Sequence, residues 1–183
     1  MDSDSRFIRY ISKSRFKNLS VEENKIECEN AFAIISNSRI QPRPNGKLYH
    51  VVISNTKTTN VKELNFLLTN RFFNRIHREI RHTPLYINYL FILEYPKAVS
   101  VLVKRITTAD LHIHITINTN ISYFQLGRIF DTMLRKDLHF YIEDISVRLD
   151  KFGLINYLTK QSLKNRFLTH DHFGYKIDYK TYL

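Results

Sequence analysis

The sequence predicts an α+β fold, a central antiparallel sheet flanked by helices, with a helical N-terminal extension. Three observations carry that prediction. From residue 47 onward, branched and aromatic runs alternate with stretches of helical spacing in the order β-α-β-β-α-β-α. Two of those runs, 85–95 and 111–117, follow each other through a hairpin-like connection, which makes them antiparallel neighbours. Finally, only 4 glycines and 4 prolines occur in 183 residues, enough to punctuate elements but too few for linkers or low-complexity tracts.

The extension comes first and covers residues 1–46; the domain proper, with its C-terminal tail, covers 47–183. In the extension, Ser20 and Glu23 form an S-x-x-E capping box, and Val21, Cys28, Phe32 and Ile35 follow at roughly helical spacing. "QPRPNG" at 41–46 ends any helix there. "KLYHVVIS" at 47–54 alternates and is β-branched, the pattern of a strand. Apolar residues at 61, 64, 68, 72, 76 and 80 then predict one long helix with a single buried face, which Pro84 stops. "LYINYLFILEY" at 85–95 is apolar enough for a strand buried on both faces. After "LHIHITI" at 111–117 come a helix over 122–137, a strand over 138–149 and a helix over 151–167.

Charge bounds the partners. Lys and Arg number 28 against 17 Asp and Glu, a formal net charge of +11, which favours a polyanion such as nucleic acid. A basic protein with no such partner is the plainer alternative. The single cysteine, Cys28, excludes an internal disulfide and any cysteine zinc cluster. No apolar run approaches the ~20 residues that span a bilayer, and the N-terminal residues lack the apolar core of a signal peptide. A cytoplasmic protein with no membrane partner is expected.

Within "LHIHITI", residues two apart project from one face of a strand, so His112 and His114 point together while the isoleucines point away. Two imidazoles at that spacing suit one metal ion, or they are packed histidines with satisfied nitrogens. The chain has 8 histidines and a second H-x-H, "HDH" at 170–172, which lacks strand context and reads as exposed loop. Glu94 lies on the strand paired with the histidines; if the connection folds symmetrically, it falls opposite residues 112–113 with parity matching the histidine face. A buried carboxylate there needs a cation or a donor, so it is either a third ligand or half of a salt bridge. Such a mixed nitrogen and oxygen set suits Mn²⁺ or Mg²⁺.

Downstream, "YLTK" places Tyr157 and Lys160 on one face of the last helix, the pairing a nucleophilic phenol with a nearby cation requires. An ordinary tyrosine titrates near pH ~10, so attack at neutral pH needs a charge, a metal or a base. A surface or core tyrosine on an amphipathic helix is the alternative. Arg71, Arg75 and Arg78 form a stripe beside the apolar face of the long helix, and Lys104 and Arg105 lie near the hairpin tip. These are candidate phosphate contacts, or a solvated face. Tyr86 and Tyr89 are aromatics for base stacking or, more simply, for the core.

"HIH" at 112–114, "YLTK" at 157–160 and the strand "YHVVIS" at 49–54 together resemble the HUH endonucleases, most closely the rolling-circle replication initiators of plasmids and phages. The resemblance runs from about residue 47 to 162. It implies a sheet related to RNA-recognition folds, His112 and His114 as metal ligands with Glu94 as the third, Tyr157 as nucleophile and Lys160 as an aid to positioning the phosphate. It also implies a divalent cofactor, Mn²⁺ or Mg²⁺, a single-stranded DNA or origin-hairpin substrate, and a host helicase and polymerase as partners of a monomer or dimer. No phosphate-cradling glycine loop is present, so unwinding is not built into this chain.

Three rivals stand beside this expectation. A single-tyrosine transposase of the same superfamily shares the histidine pair and the tyrosine. A histidine-triad nucleotide hydrolase needs a third alternating histidine where this chain has Thr116. A non-catalytic DNA-binding protein on the same scaffold needs none of the chemistry.

Overall fold

The computed structural model describes residues 18–36, 46–54, 56–58, 60–94, 111–134, 136, 138–148, 150–160 and 168–178. Its elements are α1 (Val21–Ser36), β1 (Lys47–Ser54), a long helix α2 (61–80), β2 (Ile87–Glu94), β3 (His112–Thr119), α3 (Tyr123–Met133), β4 (His139–Asp144), α4 (Lys151–Lys160) and β5 (Phe173–Lys176). The five strands form one antiparallel sheet in the order β4-β1-β3-β2-β5, an α+β fold with helices on both faces. Among the described residues no helix is long and apolar enough to cross a membrane.

Each helix forms where local chemistry starts it. The Ser20 hydroxyl accepts from the Glu23 amide and the Glu23 carboxylate from the Ser20 amide, so the capping box expected at α1 is in place. Asn60 caps α2 through the Glu63 amide, and Ser122 and Gln125 form a second box at α3. At α4 the Asp150 carboxylate accepts from the Gly153 amide at 2.7 Å.

The long helix departs from the expected simple helix in one respect. It runs as α over Val61–Phe66, as π over Leu67–Phe73 and as α again over Asn74–Ile80. The sequence explains why. Each four-residue step in its apolar stripe overshoots a 3.6-residue turn by about 40°, so a straight α-helix would rotate the stripe by about 160° between Leu64 and Ile80. Wider π turns absorb that drift, and Leu64, Leu68, Phe72 and Ile76 all remain buried against the sheet. Phe73 joins them and lies parallel to Tyr89, with ring centroids 3.5 Å apart.

Sheet register divides the core into two layers. On one face Tyr49, Val51, Ile53, Tyr89, Phe91, Leu93, Ile113, Ile115 and Ile117 meet α2 and α3. On the other, Leu48, Leu90, Ile92 and Phe173 meet Cys28, Phe32 and Ile35 of α1 and Ile155 and Leu158 of α4. The N-terminal helix therefore forms part of a core layer; Val21, the first residue of its expected stripe, is 41% exposed. Acidic residues of α1 tie that layer together, since Glu27 accepts from the Tyr175 hydroxyl and Glu29 from the Thr159 hydroxyl. Every residue of β2 is buried, as its unbroken apolar run requires.

Candidate active site

Glu94 is the last residue of β2 and His112 the first of β3, and the two are directly paired. The register Ile92↔His114↔Val52 places both histidines on the sheet face that carries Leu48, Leu90 and Ile92, the face covered by α1 and α4. Beyond the strand end, the Thr56 hydroxyl donates to the Leu111 carbonyl and the Leu111 amide to Thr58, which holds the start of β3 against the chain after β1.

Glu94 is 4% exposed, a position where an ionised carboxylate needs a compensating partner. His114 supplies one, with its Nε2 2.8 Å from Glu94 Oε2, a charge-assisted distance. His112 faces Glu94 across the strands, and its Nδ1 is buried without a hydrogen-bond partner among the described residues.

A fourth residue, which the sequence reading did not single out, completes the cluster. His50 of β1 lies diagonally from His114, with Nε2 3.3 Å from His114 Nδ1. The rings are within 11° of parallel and their centroids 5.5 Å apart, so they meet edge to edge through those nitrogens. Burial first, and then unfavourable electrostatics with His114 and Arg148, lower the His50 pKa to about 4. A third histidine inside a buried strand was the available signal, but its meeting with His114 depends on β1 inserting between β4 and β3.

The donors fit a divalent ion in part. Two ligands of one ion at bond lengths near 2.1 Å stand about 3 Å apart when they are adjacent in its coordination shell, and His114 Nε2 and Glu94 Oε2 meet that spacing. His112 offers a buried ring nitrogen opposite Glu94. Among the described residues no three His, Cys, Asp or Glu side chains are already gathered as a ligand set.

Tyr157 is carried by α4 and is 46% exposed, while Ile155 and Leu158 of the same helix pack on the histidine side of the sheet. Lys160 ends α4, and its side chain lies outside the described residues, as do Lys104 and Arg105. Arg71, Arg75 and Arg78 are exposed on α2, whose buried side covers the opposite sheet face; Arg75 pairs with Glu79 at 3.1 Å. Tyr86 and Tyr89 are buried, as core aromatics are.

The second H-x-H departs from the exposed loop expected of it. His172 is buried, accepts from the Thr169 amide through Nδ1, and offers its carbonyl to the Leu93 amide at 2.7 Å. Burial lowers its pKa. The four-residue strand β5 that follows was also missed, because Gly174 and so short a run give little strand pattern.

No family model matches this chain, and no curated protein does. Among solved structures it is similar to the hypothetical protein ORF119 from Sulfolobus islandicus rod-shaped virus 1, at 16% identity over 75% of this chain and 92% of that one, with a TM-score of 0.41.

Proposed function

We propose that the protein is a metal-dependent endonuclease that nicks single-stranded DNA through Tyr157 and so starts rolling-circle replication. The observation that carries this reading is that Glu94, in contact with His114 and paired across the strands with His112, lies on the sheet face on which the Tyr157 helix packs. Metal donors and a phenol on one layer are the two halves such a reaction needs.

When bound by Glu94, His114 and His112, Mn²⁺ or Mg²⁺ supplies Lewis-acid stabilisation of charge on the scissile phosphate. The chain's own groups do the rest. Before an ion is bound, Glu94 orients the His114 ring through the 2.8 Å contact. Tyr157 Oη bonds to phosphorus as the bond to the 3′ oxygen breaks; the phenol proton passes to solvent or a base, and the 3′ oxygen takes up a proton. The 5′-phosphotyrosine linkage then retains the bond for rejoining or hydrolysis. The net charge of +11 favours the DNA strand through its phosphates, independent of sequence.

The deciding experiment mixes the protein with single-stranded DNA from its own replication origin and Mn²⁺, then looks for a covalent adduct on a denaturing gel. Wild type forms it, and Tyr157→Phe and His112→Ala do not. An adduct that survives Tyr157→Phe moves the nucleophile elsewhere. Tight, salt-dependent binding with no cleavage replaces the nickase with a DNA-binding module.

A further inference from the structure

His50 lies on β1, two strands from Glu94, and no part of the nicking chemistry above uses it. It is 7% exposed, and a buried imidazole needs a partner for its polar edge. That partner is His114. The 3.3 Å contact joins His50 Nε2 to His114 Nδ1, and the near-coplanar, edge-to-edge rings aim lone pair and N–H along the contact.

The two nitrogens of His114 are therefore both committed, Nε2 to Glu94 and Nδ1 to His50. A histidine that gives Nε2 to a metal must carry its proton on Nδ1, and that proton needs an acceptor. A carboxylate or a backbone carbonyl is the usual acceptor, and His50 Nε2 stands in that place here. An imidazole also does what a carboxylate does not. It donates from Nε2 in one tautomer and accepts there in the other, so it satisfies His114 Nδ1 both when Nε2–H is given to Glu94 and when Nε2 is given to an ion.

We propose that His50 is a positioning residue that holds the His114 ring by pairing with Nδ1 in either tautomer, so that Nε2 is presented toward Glu94 and a divalent ion beside it. The inference rests on the nicking reading for its purpose, but its first measurement does not.

In metal-free protein, ¹⁵N-resolved NMR of the His114 ring reports the proton on the Nε2 that faces Glu94 and a hydrogen-bonded Nδ1 in wild type. His50→Leu, which keeps apolar volume and removes the partner, shifts Nδ1 to the position of a nitrogen without a hydrogen bond. His50→Gln, whose amide both donates and accepts, keeps Nδ1 bonded. Titration with Mn²⁺ then shows His50→Leu about 10- to 100-fold weaker than wild type, with His50→Gln near wild type. Thermal unfolding of each variant identifies any that fails to fold, and His50→Asn serves as a second conservative variant. An unchanged His114 Nδ1 resonance together with unchanged Mn²⁺ affinity in folded His50→Leu overturns the proposal. Wild-type protein that takes up no Mn²⁺ and forms no DNA adduct overturns the nicking reading instead, and the His114 Nδ1 resonance still decides whether His50 positions that ring.

Discussion

His114 Nε2 and Glu94 Oε2 stand 2.8 Å apart at the junction of β2 and β3, with side chains 12% and 5% exposed. A carboxylate so buried is stabilised by this donor, and each group loses a partner when the other is removed. Glu94→Ala should cost about 1–3 kcal/mol in urea unfolding. Glu94→Gln keeps the volume and still accepts from Nε2–H through its amide oxygen, so it should cost less than about 1 kcal/mol. The Gln variant should nevertheless weaken Mn²⁺ binding about 10- to 100-fold, because a neutral amide is a poor hard-cation ligand. Equal stability losses with unchanged Mn²⁺ binding would make Glu94 purely structural.

Stability should fall as acid is added, well before carboxylates titrate. Burial depresses the pKa of His50 and of His77 from 6.5 to about 4, and lowers that of His172. The unfolded chain takes up protons near pH 6.5 that the folded chain refuses until about pH 4. The stabilisation is therefore complete above pH 6.5 and lost as pH falls toward 4, on the order of 3 kcal/mol for each of His50 and His77. Urea midpoints at pH 7.5, 6, 5 and 4.5 measure it. His77→Leu should flatten the slope, and a midpoint constant from pH 7.5 to 4.5 would mean that these rings are charged in the folded state.

Much of this site was legible because strands obey parity. Once "LFILEY" and "LHIHITI" were antiparallel neighbours, Glu94 had to share a face with His112 or miss it by one residue, and the observed pairing is Glu94↔His112. His50 was not legible, because its contact with His114 depends on strand order, which no local pattern encodes. The π segment left a trace in the four-residue spacing of Leu64, Leu68, Phe72 and Ile76, since a straight α-helix would not keep those residues in line. His172 looked like a loop histidine because the carbonyl that binds Leu93 is a backbone group, invisible in side-chain pattern.

Two glycines should respond in opposite directions to the same substitution. A Cβ on Gly174 of β5 would lie 2.7 Å from two ring atoms of Phe91, which is fully buried beside Tyr89. Gly174→Ala should therefore destabilise by about 1–3 kcal/mol. A Cβ on Gly127 of α3 meets nothing within 4 Å, so Gly127→Ala should stabilise by about 0.5–1 kcal/mol through helix propensity. Urea midpoints compare the pair directly. A neutral Gly174→Ala would show that the Phe91 ring has room to swing away.

The arginine stripe lies across the sheet from the histidines, and this separates two paths for the DNA. Arg71, Arg75 and Arg78 are exposed on α2, whose buried side packs on the face opposite His112 and His114. A strand lying across the histidine face does not reach them. The triple variant Arg71→Ala, Arg75→Ala, Arg78→Ala should then leave the salt dependence of single-stranded DNA binding unchanged, and should fold normally because the Arg75–Glu79 pair is exposed. Each phosphate contact removed lowers the slope of log K against log salt by about 0.7 for single strands. A slope reduced by about 2 would place the strand on the α2 layer and draw the substrate away from the proposed nicking site.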